Sequence, residues 1–129
     1  MKLDPDCIRD ILLTAEDKTG YGDLFQLPED LSSCPKLEKY TEDEVMYHLR
    51  QCIYSNLLIC GKEDLAGNIQ IHDLHPKGHE FIANIRKDNI WGDVKAVCGK
   101  VGSTSLTAIT QIASAVVTEI IKAQLNLLN

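Results

Sequence analysis

The stretch Thr41–Leu74, TEDEVMYHLRQCIYSNLLICGKEDLAGNIQIHDL, decides the fold. Thr41 followed by Glu44 is a capping box, in which each side chain satisfies the other residue's backbone N–H, and it predicts a helix start. Val45, Leu49, Cys52 and Ile53, with Met46 alongside, recur at helical spacing and predict one buried face. That helix is expected to end at Asn56. Leu57-Leu58-Ile59-Cys60 then reads as a strand, Gly61 to Asn68 as a polar loop, and Ile69 to Leu74 as a returning strand. In the second strand Ile69, Ile71 and Asp73 are expected on one face, and Gln70, His72 and Leu74 on the other.

A helix leading into a hairpin with a long polar tip is the plan of a winged helix. Upstream, Asp4-Pro5 predicts a capped helix start, and Ile8, Ile11, Leu12 and Ala15 give its buried stripe. Thr19-Gly20-Tyr21-Gly22 stops that helix, and Leu24-Phe25-Gln26-Leu27 reads as one edge strand before Pro28. Residues 28–40 read as a loop, or at most a short helical turn. Downstream, Pro76 opens a helix with Phe81, Ile82 and Ile85 as its core face. Asp88-Asn89 interrupts that helix or caps a successor carrying Ile90, Trp91, Val94 and Val97. Gly99 and Gly102 are expected to end that region, and Ser103 to Ser105 to cap a last helix running to about Leu128.

The expected fold is therefore mainly α with a small β-hairpin (α+β): a winged-helix-like core plus C-terminal helices. A single domain over 1–129 is expected, with the core at 1–75, supporting helices at 76–98 and the apolar helix at 104–128. That last helix carries Leu106, Ile109, Ile112, Ala113, Val116, Val117, Ile120, Ile121, Leu125 and Leu128 as a broad apolar face. A face so wide is buried by more than one neighbour, within the monomer, across an oligomer interface, or both. Ile109, Val116, Val117, Ile120 and Ile121 are the candidate interface residues.

The formal net charge is −6, unevenly spread: residues 1–47 carry 12 acidic and 5 basic residues, and the remainder 7 and 8. Such a field opposes a phosphate backbone, so DNA is disfavoured as a partner unless a local basic face overcomes it. The five cysteines contain no C-x-x-C pair, and the charged N-terminus MKLDPDCIRD is unlike a secretory leader. Free thiols in a reducing cytoplasm are expected, and no stretch is expected to reach the ~20 apolar residues that a membrane span needs, so no transmembrane segment is expected.

No constellation with catalytic or cofactor chemistry stands out. His72, His75 and His79 have a metal-like spacing, but they are divided between a strand and a helix beyond Pro76. The plainer expectation is that His75 caps the helix and His79 packs or hydrogen-bonds at its start. Cys52 and Cys60 lack an activating neighbour in sequence, and Gly61-Lys62, Gly99-Lys100 and Gly20-Tyr21-Gly22 match no phosphate-binding loop. No metal or cofactor is expected. Of the dispersed cations Arg50, Lys62, Lys77, Arg86, Lys87, Lys95 and Lys100, a winged helix would place Lys62 on the wing and Lys77 just after it. Arg50, Lys62 and Lys77 are the candidate contacts to DNA or another partner.

Tyr47-His48-Leu49, Leu57-Leu58-Ile59, the run from Gly78 to Asp88 (GHEFIANIRKD) and Trp91 fall in a distinctive order. With Met1-Lys2-Leu3-Asp4 and Ile8-Arg9-Asp10-Ile11-Leu12, they resemble an uncharacterised family of bacterial proteins common in phages and prophages, classed as a domain of unknown function. The resemblance implies a winged-helix-like fold in a bacterial or mobile-element setting, and no activity. The functional expectation is a non-enzymatic interaction module, homo-oligomeric (a dimer) through the last helix, with a further protein partner open. The alternative is a winged-helix DNA-binding regulator. There the three carboxylates of Glu42, Asp43 and Glu44, at the end that meets base edges, weigh against it.

Overall fold

A computed structural model describes residues 1–103 and 105–129. Helix α1 spans Pro5–Lys18; the Asp4 carboxylate accepts the Asp6 N–H at 2.9 Å, and Pro5 occupies the first turn, where no N–H is needed. Strand β1 is Phe25–Leu27, followed by two short 3-10 turns, Leu31–Ser33 and Pro35–Leu37. Helix α2, Glu42–Tyr54, begins with the expected capping box: Thr41 Oγ1 accepts the Glu44 N–H at 3.1 Å and Glu44 accepts the Thr41 N–H at 3.0 Å. Asn56, at a φ of 57°, turns the chain out of α2 into strand β2, Leu58–Cys60. Strand β3 is Ile69–Leu74.

The three strands form one antiparallel sheet in the order β1-β3-β2. The returning strand lies in the middle, and the short β1 sits on the edge, as its Pro28 neighbour demands. The expected faces of β3 need correction. Ile69 and Ile71 are buried, but so is Leu74, while Asp73 is exposed. The pairing of β2 with β3 shifts register between Ile59 and Cys60. Strict alternation fails across such an irregularity, and the far end of β3 presents the opposite parity to the core.

Helix α3 is Pro76–Ile85, α4 is Asp88–Val101 and α5 is Leu106–Leu127. Gly99 lies inside α4 rather than ending it. The end comes at Gly102, whose φ of 77° is the left-handed conformation that lets its N–H reach the Cys98 carbonyl at 2.9 Å. On α4, Cys98 takes the buried place expected for Val97, which is 37% exposed. The expected start of the last helix at residue 104 lies outside the described residues. Ser105 caps it, accepting the Ala108 N–H at 3.1 Å.

The chain divides into two compact units, Met1–His79 and Glu80–Asn129. In the first, Ile8, Ile11, Leu12, Leu27, Val45, Leu49, Ile71 and Leu74 are buried. Each contributes on the order of 1.5–3 kcal/mol relative to an exposed side chain. In the second, α4 and α5 pack on each other. Phe81 and Trp91 meet edge to face there, with ring centroids 6.5 Å apart and planes at 76°.

Candidate interaction surfaces

The first surface is that of α2 and the β2–β3 loop. Asp64 closes the loop, its carboxylate accepting the N–H groups of Ala66 at 2.9 Å and Asn68 at 2.8 Å. Such local bonds hold an extended polar tip in one shape. Lys62 and Leu65 project from it, both exposed. The Arg50 guanidinium on α2 is engaged by the Glu63 carboxylate of the loop, so this cation serves the tie between helix and loop. Glu42 and Asp43 stand exposed at the start of α2. Lys77 is exposed in the first turn of α3, and its backbone N–H donates to His75 Nδ1 at 3.1 Å. His75 thus caps α3, as expected.

The remaining histidines have separate surroundings. His79 Nε2 lies 3.7 Å from the Asp73 carboxylate, and His72 is exposed on β3. No group of three or more potential metal ligands is found among the described residues.

A buried polar cluster went unrecognised in the sequence. His48 is 1% exposed, with both ring nitrogens occupied: Nε2 accepts the Asp4 N–H at 2.8 Å, and Nδ1 lies 2.6 Å from the Glu44 carbonyl. This geometry sets the neutral tautomer with its proton on Nδ1, and it fastens the start of α1 to α2. Asp10, 9% exposed, accepts from the Tyr40 hydroxyl at 2.7 Å and pairs with Lys39 at 3.1 Å. Burial, then the Asp10 hydrogen bond, drives the Tyr40 phenol well above its ordinary range. Beside them Cys7 is pushed up to about 12, first by burial and then by the carboxylates of Asp4, Glu44 and Asp10. Burial also raises Cys52 and Cys60, the latter to about 11. Thiols so held are poor nucleophiles at neutral pH, and the cluster is organised as a structural tie. The signal for it was the helical spacing of Cys7, Asp10 and Thr14 along the stripe of α1.

The second surface is α5. Leu106, Ile109 and Ala113 are buried, so Ile109 is already occupied within the chain and is not open to a partner. Val116, Val117 and Ile120 are half-buried, while Ile121 is 52%, Leu125 55% and Leu127 78% exposed. Leu106, Ile109, Ala113, Val116, Ile120, Ala123 and Leu127 alternate in steps of three and four, a seven-residue repeat of apolar residues. Ala123 and Leu127 belong to this seam and were missed, while Ile121 stands off it. An open apolar hollow of about 450 Å³ lies beside the seam, lined by Val97 of α4 and by Ile112, Ala115, Val116, Ile120 and Ala123 of α5, with Glu119. The expectation that no stretch has the length and apolarity of a membrane span needs correction: among the described residues α5, at 22 residues with a mean hydropathy of 1.3 over 18 of them, is the one helix that has both.

These features define a small mainly-α protein with an α+β sheet unit and a long apolar helix. The chain belongs to the family described as hypothetical protein (DUF2513), which matches residues 2–105 and so ends just before α5. No curated protein and no solved structure matches it.

Proposed function

We propose that the protein is a non-enzymatic interaction module that works as a homo-oligomer assembled through α5. One observation carries this reading: the apolar seam of α5 continues in regular steps beyond Ala113, where the chain stops covering it. An apolar surface of this length left in water is a binding surface by the usual economy of soluble proteins. The flank opposite the seam carries Gln111, Ser114, Thr118 and Lys122 together with Ile121 and Leu125, all exposed, so its polar positions are interleaved with apolar ones. Sedimentation velocity across a concentration series tests it. The wild type is expected to associate, and Val116→Asp to give a folded monomer. A wild type that stays monomeric at every concentration would remove the reading.

A second reading, the winged-helix DNA-binding regulator, is favoured by one observation: helix α2 feeds a hairpin whose returning strand pairs centrally with the early strand β1. Against it stand the acidic start of α2 and the engagement of Arg50 by Glu63. Fluorescence anisotropy with duplex DNA separates the two. Binding that survives physiological salt and weakens in the Lys62→Glu, Lys77→Glu double variant would favour the regulator.

A further inference from the structure

We propose that His48 is a proton-sensitive latch: when its ring takes up a proton, the start of α1 is released from α2. The latch lies within the Met1–His79 unit and makes no use of α5. Its ring is 1% exposed and sits between two backbone groups of opposite polarity. Nδ1 lies 2.6 Å from the Glu44 carbonyl, which only accepts, so Nδ1 carries the hydrogen. Nε2 receives the Asp4 N–H at 2.8 Å, and a backbone N–H only donates. Neither partner can exchange its role, as a hydroxyl or a water could. An imidazolium carries hydrogens on both nitrogens, so protonation sets one N–H against another and the Asp4 contact has to open.

What opens is a helix start. Asp4 caps α1, its carboxylate holding the Asp6 N–H at 2.9 Å and its carbonyl accepting the Ile8 N–H at 3.2 Å. The titratable and charged groups around the latch are Asp4, Cys7 and Asp10 on the side of α1, Lys39 and Tyr40 before α2, and Glu44 and Tyr47 on α2. An imidazole ordinarily changes charge between about pH 8 and pH 5. Through that window Glu44 stays ionised, because its bond to the Thr41 N–H holds its carboxyl below the usual range. Burial keeps Cys7 and Tyr40 protonated through it. Asp10 is engaged by the Tyr40 hydroxyl and by Lys39. His48 is therefore the member of the cluster whose chemistry changes there. The closed form leaves Nε2 unprotonated and the opened form protonates it, so opening gains as pH falls and closure gains as pH rises.

Nitrogen-15 NMR of the full chain, titrated from about pH 7.5 to about pH 5, tests the latch through the His48 ring nitrogens and the amide protection factors. At the upper end the ring is expected as the Nδ1–H tautomer with the Asp4 amide protected. As the imidazolium appears, protection at Asp4 is expected to fall about tenfold or more, while Leu49 in the core of α2 stays protected. In His48→Gln the side-chain carbonyl can accept the Asp4 N–H without titrating, so Asp4 protection should hold constant across the range. A ring that stays neutral to the lower end, or an imidazolium that forms with Asp4 still protected, would overturn the proposal. Protection lost at Asp4 and Leu49 together would overturn it too, since that is global unfolding rather than release of α1. A folded His48→Gln chain that still loses Asp4 protection would assign the effect to the surrounding carboxylates instead. Should that variant fail to fold, the wild-type titration decides by itself.

Discussion

Gly78 sits where the first turn of α3 crosses the carbonyl of Leu57, and a Cβ there would lie 2.1 Å from that oxygen. The obstacle is backbone and cannot swing aside. The Gly that opens the GHEFIANIRKD run is therefore required by contact. Gly78→Ala is expected to lower unfolding free energy by about 1–3 kcal/mol in urea titrations, the usual range for overpacking. Gly92 and Gly99 lie within α4 with nothing near their missing Cβ. Their replacement by Ala should raise stability by roughly 0.5–1 kcal/mol each, through the entropy of the unfolded chain and helix propensity. The cysteines make a second residue-scale statement. An ordinary thiol ionises near 9.0, whereas Cys7 is held up to about 12 and Cys60 to about 11. Between those values the folded chain keeps protons that the unfolded chain loses. The corresponding stability is complete below pH 9 and is lost as pH rises toward 12. Alkaline unfolding monitored by circular dichroism should begin near pH 9, and Cys7→Ala should make that loss shallower.

Among the elements, those announced by their own end chemistry were legible. Asp4-Pro5 and Thr41…Glu44 place α1 and α2 because capping is local and needs nothing from the rest of the chain. Faces were legible only as far as the period held. The register shift at Ile59 and Cys60 exchanged Asp73 and Leu74, and Cys98 displaced Val97, since neighbours rather than spacing choose the centre of a helix stripe. The division into two units left no mark in composition, because it falls inside α3 between His79 and Glu80 rather than in a polar linker. The polar cluster of Asp4, Asp10, Tyr40 and His48 was hidden for a related reason: its partners lie as far as 44 residues apart. On α5 the breadth of the apolar face masked its seam, and the seam makes a sharp contrast between adjacent residues. Ile120→Asp is expected to abolish association in light scattering, whereas Ile121→Asp, one position off the seam and already 52% exposed, should leave the oligomer intact. Ile109→Asp should instead unfold the second unit, since Ile109 is 1% exposed and a carboxylate there would be buried without a partner.

At the scale of the whole molecule, charge and apolar surface are segregated along the chain. Residues 1–47 carry 12 of the 19 acidic residues, whereas α5 carries a single Glu and a single Lys. Two copies approaching by their N-terminal halves repel each other, and two copies approaching by α5 meet almost no charge. The two functional readings therefore respond to salt with opposite signs. Association through an apolar seam is indifferent to screening, or is strengthened as the net charge of −6 on each chain is screened. Binding to DNA releases counterions and weakens steeply, by about three to five decades between 50 and 200 mM salt for a protein touching six to ten phosphates. The expected outcome is a dimerisation constant in sedimentation equilibrium that holds or tightens from about 50 to about 500 mM NaCl, where a Debye length falls from over 10 Å toward a few Å. An association that dissolves over the same range would mean that ion pairs, not the α5 seam, hold the copies together. It would move the search for the interface back to the charged face of α2 and its loop.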